Sequence, residues 1–181
     1  MPRKAPPSTS STRPRKTAAG IVSSSHLVSP RSAELSEFEF GLIVAWNAFS
    51  RWAVRCMAAA GVGDLTITDV LLLHHVNHRA RNKKLADICF VLNYEDTHVV
   101  AYSLKKLVAA KLVATEKVGK EVLYRPTPAG EAAVMAYRSV REQCLVESLD
   151  TELNAPIGEL ARLLRTMSGM YDQAARAASS L

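Results

Sequence analysis

His98, Ala101, Tyr102 and Lys105 recur at i, i+3, i+4 and i+7, the spacing of one stripe along an α-helix. The stripe offers an imidazole and a phenol that exchange hydrogen bonds with base edges. It also offers an ammonium which, with neighbouring Lys106, reaches phosphates. Val100, Leu104, Leu107 and Val108 make the opposite, apolar face. A helix held by Val and Leu on one side and presenting His, Tyr and Lys on the other suits the major groove of duplex DNA. Ordinary amphipathic surface helices carry similar stripes, so the neighbouring elements have to decide.

Those neighbours are ordered. Leu85, Ile88, Cys89 and Leu92 form the apolar face of a short preceding helix. Asn93-Tyr94-Glu95-Asp96 then supplies turn and cap chemistry, because an Asn or Asp side chain accepts from the free N–H groups that open a helix. Asp96 and Thr97 therefore stand where the second helix begins. Beyond it, residues 112–118 alternate weakly, Gly119-Lys120 turns the chain, and Val122-Leu123-Tyr124 returns as a β-branched and aromatic strand. Lys117 and Lys120 flank the turn and Arg125 lies at the base of the return strand. A basic hairpin tip beside such a helix reaches adjacent phosphates or the minor groove. Lysines also protect exposed sheet edges, an explanation adequate for one lysine and weaker for the cluster.

Helix, turn, helix and basic hairpin make a winged helix-turn-helix, and the chain resembles the MarR-type family of bacterial transcription regulators from Leu65 to Gly130. Residues 65–73 resemble the helix entering that family's DNA-binding lobe, Lys84 to Val91 the first helix of its helix-turn-helix, and Asp96 to Ala110 its recognition helix. Thr127-Pro128-Ala129-Gly130 is similar to the phrase that closes the family's wing, with Pro128 at a helix start, where its missing N–H costs nothing. Two departures stand out. Lys111 occupies a place where the family usually has Gly. Lys117-Val118-Gly119-Lys120 replaces a longer wing with an Asp-x-Arg pair, so wing contacts rest on lysines as point charges rather than on a bidentate fork.

Charge is partitioned in the same sense. The net charge is +6, and residues 1–33 carry six basic groups and no acid. Residues 65–127 carry ten basic and six acidic groups, whereas 34–64 and 128–181 each sum to −2. Positive charge in the lobe and tail over a mildly acidic scaffold is what a DNA-binding protein needs. Residues 1–32 are expected to be a disordered basic tail, in which Arg13, Arg15 and Lys16 are candidates for phosphate contacts. The acid-free start also imitates an organelle transit peptide, against which its early prolines and lack of an apolar helical face argue. No apolar run has the length of a membrane span. The expected location is the bacterial cytoplasm, with no membrane partner.

Residues 33–181 are expected to form a single domain, mainly α with a small β-hairpin wing. Within it, 65–127 is the DNA-binding lobe, and 33–62 and 128–181 are dimerisation helices. Leu35, Phe38, Leu42, Ala45, Phe49, Trp52 and Cys56 make a heptad-like stripe near one end, and Ile157, Leu160, Leu164, Met167 and Tyr171 another. Helices this apolar need partners on several sides. In the resembled family the terminal helices intertwine across a two-fold axis, which implies a homodimer on an inverted repeat. The alternative is that the stripes pack on each other within a monomer.

The resemblance further implies a small-molecule effector in a crevice between the dimer helices and the lobe, for which Trp46, Phe49, His74 and Arg79 are candidates. His74 and His78 have the i, i+4 spacing of paired metal ligands, but no carboxylate or Cys completes a site in sequence, and His near a helix C-terminus suits the dipole. Cys56, Cys89 and Cys144 lack a CxxC pattern and read as reduced core thiols. No cofactor or metal is expected. No Ser-His-Asp or Gly-rich phosphate-loop arrangement is present, so an enzyme is not expected. The reading is a double-stranded DNA-binding transcriptional repressor. Its rivals are a sequence-indifferent architectural DNA-binding protein and a winged-helix protein-interaction module.

Overall fold

The computed structural model describes residues 25–79 and 81–181. They form six α-helices and one small antiparallel sheet, so the expected class holds. The chain divides after Phe49 into two units.

The first unit holds the turn Ser25–Leu27 and the N-terminal part of α1, Ala33–Ala59. Leu35, Phe40, Leu42, Ile43, Val44, Trp46 and Phe49 are all exposed there. Trp46 and Phe49 pack against each other with ring centroids 6.0 Å apart.

The second unit begins with the end of α1, whose Ala53, Cys56 and Met57 are buried. Helix α2, Ile67–Asn77, opens with a reciprocal cap: Thr66 Oγ1 accepts from the Asp69 N–H at 3.2 Å, and the Asp69 carboxylate accepts from the Thr66 N–H at 2.8 Å. Val70, Leu72, Leu73 and Val76 of α2 are fully buried. Helix α3, Leu85–Leu92, buries Ile88 and Cys89 and ends at Asn93. Asn93 takes the left-handed conformation (φ 56°), which Asn tolerates better than most residues. Helix α4, Thr97–Ala109, adds Val100, Leu104 and Leu107. At about 1.5–3 kcal/mol for each large apolar side chain removed from water, this shared core fixes the angle of α4 against α2 and α3.

Strands β2, Val113–Val118, and β3, Glu121–Pro126, form the expected hairpin, with Gly119 at φ 62° in the turn. A third strand, β1 (Lys83–Lys84), pairs with β3 at Lys83↔Tyr124 and gives the order β1-β3-β2. It is too short to leave a periodic signal. The expected hairpin is thus one side of a three-stranded sheet.

Helix α5, Pro128–Arg141, is capped by Thr127, whose Oγ1 accepts from the Gly130 N–H at 3.0 Å and donates to the Lys111 carbonyl at 2.7 Å. Gly130 is buried so closely against Leu112 that a Cβ would collide with the Leu112 carbonyl oxygen. Lys111 sits at φ 60°, a left-handed position that explains why the resembled family uses Gly there. Ala133 and Tyr137 continue the buried face of α5.

A π-turn, Glu142–Val146, follows. It breaks the helical phase, and Cys144 is consequently exposed, while Cys56 and Cys89 are buried as expected. Helix α6, Asn154–Ala178, has no buried residue. No helix among the described residues is long and apolar enough to cross a membrane.

Candidate nucleic-acid interface

The outer face of α4 is built from its cap inward. Asp96 closes the N-terminus, its carboxylate accepting from the His98 N–H at 2.8 Å. Thr97, His98, Tyr102 and Lys105 are exposed and Ala101 is half-buried. Tyr102, at 75% exposure, stands almost free of the protein surface. The inner face is fixed by more than apolar packing. Ser103 Oγ donates to the Asp69 carboxylate, and Lys106 Nζ lies 2.8 Å from Asp69 Oδ2 while also donating to the Asp64 carbonyl at 2.5 Å. Asp69 is 2% exposed. Burial alone would raise its pKa, but the hydrogen bonds from Lys106, Ser103 and Thr66 outweigh burial and hold it below the usual carboxylate range. Asp96 and Lys106 therefore have work inside the lobe: one caps α4, the other ties it to α2.

The hairpin tip carries Lys117 and Lys120, both exposed, with exposed Val118 and Val122 between and beside them. The hairpin's acids are matched elsewhere. Glu116 accepts from the Asn82 side-chain amide at 2.8 Å, and Glu121 pairs with Lys84 at 2.7 Å. Among the described residues neither tip lysine forms an ion pair. Arg125 is exposed near the far end of β3, opposite Ala114. Arg13, Arg15 and Lys16 lie outside the described residues.

An exposed polar stripe on a helix locked from behind, next to a cationic hairpin tip, has the geometry of a groove reader with a flanking phosphate contact. Residues 65–130 match the family model for the winged helix DNA-binding domain. This lobe has the winged-helix fold. Its limits coincide with the stretch Leu65 to Gly130 that the motifs single out.

Around the winged helix the chain has the MarR-type fold. It superposes on mutant MarR from E. coli complexed with operator DNA at a TM-score of 0.61 and 19% identity, covering 77% of this chain and 99% of that one. The S. aureus MepR–DNA complex gives 0.57 at 20% identity, covering 74% and 97%. BpsR of Bordetella bronchiseptica, solved to explain regulation of its DNA binding by 6-hydroxynicotinic acid, gives 0.52 at 23% identity, covering 69% and 90%. A search of curated proteins gave no match.

The residues suggested for an effector crevice are divided between the two units. Trp46 and Phe49 belong to the N-terminal unit and touch each other. Within the other unit, His74 stacks edge-on against the Tyr137 ring, centroids 4.4 Å apart, and burial pulls its pKa down. It lines a cavity of about 510 Å³ with Leu71, His75, Leu92 and Val134. Arg79 is exposed in the loop after α2, at φ 60°, and lines a different, smaller cavity. Among the described residues no three His, Cys, Asp or Glu side chains converge as a metal site.

Asp69 and Ser103 carry no mark in the sequence of their joint role, although the Thr66-x-x-Asp69 spacing is a capping signal. Phe90, 87% exposed on α3, breaks no periodicity either.

Proposed function

We propose that the chain is a homodimeric transcriptional repressor that binds an inverted repeat in duplex DNA. The observation that carries this reading is the free polar stripe of α4, held from behind by the Asp69 network and flanked by the lysines of the wing. His98 and Tyr102 read base edges, with Ala101 giving room for close approach. Thr97 and Lys105 hold phosphates. Lys117 and Lys120 reach the neighbouring backbone or minor groove, with Arg125 contributing at longer range. Arg13, Arg15 and Lys16 supply an additional arm.

The dimer is supported by the unpartnered apolar surfaces of the terminal helices. Ile157, Leu160, Leu163, Leu164 and Met170 of α6 are exposed, as are the aromatic and aliphatic residues at the start of α1. A second copy covers both. Two lobes on one dimer place their recognition helices in successive major grooves, about 10 bp apart. The cavity beside His74 is large enough for a small organic effector, and a ligand there shifts the spacing of the two lobes. The protein works where its DNA is, in the bacterial cytoplasm.

The test is selection of bound duplexes from a random pool by the purified full chain at physiological salt, repeated without residues 1–30. The expected result is an enriched inverted repeat that survives deletion of the tail. Binding without enrichment, lost with the tail, replaces this reading with the architectural one, and no binding to any duplex replaces it with protein docking.

A further inference from the structure

The loop between α2 and α3 gathers positive charge that the DNA-reading surface does not use. His75, His78, Arg79, Arg81, Lys83, Asp87 and Val91 line one cavity of about 190 Å³. It is formed by the C-terminal end of α2, the loop that follows, β1 and one face of α3. Five of these seven side chains are cationic or can become so, and Asp87 is the single carboxylate. Among the described residues no ion pair involves Arg79, Arg81 or Lys83.

The loop is held in this shape from inside. Lys83 is buried, and its ammonium donates to the carbonyls of Val76 (3.0 Å), His78 (2.6 Å), Arg79 (3.4 Å) and Arg81 (3.4 Å). These acceptors carry only partial charge, and no carboxylate forms an ion pair with the ammonium among the described residues. Cations so close together repel one another. Burial first, and then Lys83, His78 and Arg81, lower the pKa of His75, while burial and Arg81 lower that of Lys83. A fold spends stability on such an arrangement, and a bound anion would relieve it.

We propose that this cavity is a binding site for a phosphate group, with Arg79 and Arg81 as the guanidinium clamp and His75 and His78 as further donors. Guanidinium forks match the oxygens of a phosphate in pairs. The cavity is smaller than the roughly 300–1,000 Å³ typical of drug-sized ligands, so it takes the phosphate and not a large organic body. Asp87 faces the same space and weakens binding, which sets the affinity low in the parent chain. The phosphate comes either from the DNA backbone passing the β1 edge of the winged helix or from a phosphorylated small molecule. The site adjoins the effector cavity beside His74, with which it shares His75 and His78, and does not depend on the assignment of the operator.

The experiment is an NMR titration of the His75 imidazole in the full-length protein, in chloride buffer with and without inorganic phosphate. Parent, Arg79→Gln/Arg81→Gln and Asp87→Asn proteins are compared. Phosphate is expected to raise the His75 midpoint saturably in the parent, to have at least fivefold less effect in the double variant, and to bind several-fold more tightly to Asp87→Asn. The gain in Asp87→Asn is a readout that damage to the fold cannot imitate. No saturable shift in the parent, or equal shifts in parent and double variant, overturns the proposal. A second arm measures the salt dependence of binding to a short duplex. A slope reduced by about 1–2 in the double variant assigns the phosphate to DNA, and an unchanged slope with the phosphate effect intact assigns it to a free ligand.

Discussion

The ammonium of Lys106 in α4 stands 2.8 Å from the carboxylate of Asp69 in α2, 37 residues earlier in the chain. One oxygen of Asp69 takes Lys106 and the Thr66 N–H, and the other takes the Ser103 hydroxyl. A carboxylate that caps its own helix is thereby also the anchor of α4. Removing one member leaves the others buried and unpaired, which costs more than the pair contributes.

Asp69→Asn is accordingly expected to lower unfolding stability by about 2–3 kcal/mol. The pH dependence has a definite sign. The folded pKa of Asp69 is depressed, so its contribution is fully present above the unfolded value, about 3.9, and is lost as pH falls through the folded value. Urea unfolding between pH 2 and pH 6 should show a steeper acid loss in the parent than in Asp69→Asn. Equal acid slopes would remove Asp69 from the account of acid stability.

Adjacent lysines on α4 should behave differently. Lys105→Ala is expected to weaken binding to all duplexes and to lower the salt slope by about one. Lys106→Ala should lower stability and leave the slope of the folded protein unchanged. His98→Ala and Tyr102→Ala should change which base is preferred, by about 1–3 kcal/mol at the affected position. Binding isotherms on a panel of single-base variants of the selected site, at three salt concentrations, separate these outcomes.

Two backbone positions at the base of the wing make opposite predictions. Gly130→Ala drives a methyl group into the Leu112 carbonyl and should cost at least about 1–3 kcal/mol. Lys111→Gly relieves a left-handed residue at φ 60° and should stabilise by up to about 1 kcal/mol. Thermal unfolding of the two variants beside the parent checks both signs.

Histidine sets the behaviour near neutrality. The folded pKa of His74 is lowered by burial, so above about pH 6.5 both folded and unfolded chains hold it neutral and no stability is lost. Below that value the unfolded chain takes up a proton that the folded chain refuses, and stability falls until the folded pKa is reached. His74→Phe keeps a ring against Tyr137 and should flatten this slope. Denaturant midpoints at pH 5, 6, 7 and 8 give the comparison, and an undiminished slope in the variant would assign the effect to His75.

Much of the fold was legible because its signals are local. The face Val100, Leu104 and Leu107, the cap at Asp96 and the phrase Thr127–Gly130 each operate within two turns of chain, and each forms where its spacing places it. What escaped depends on distant partners. Position 106 is polar by type and half-turned by phase, and only a buried carboxylate on another helix decides which way its ammonium points. Strand β1 has two residues and exists through its pairing with β3. Cys144 follows the apolar spacing of α5 as far as the π-turn, where an i→i+5 bond from the Glu147 N–H to the Glu142 carbonyl at 3.0 Å shifts the phase. The candidate interface divides in the same way: the exposed stripe of α4 and its cap at Asp96 are readable, whereas the inward role of Lys106 and the cation-lined loop around Lys83 are not.

Helix α6 spans 25 residues and buries none of them within its own chain. Much of its apolar face, including Ile157, Leu160 and Leu163, stays exposed in the isolated chain, with Met167 and Tyr171 only half-buried. In the proposed homodimer the final stage of acquiring the native state is a collision between chains, and its rate scales with protein concentration. Refolding followed after dilution should separate into an early phase, independent of concentration, that builds the lobe, and a later second-order phase that completes the terminal helices.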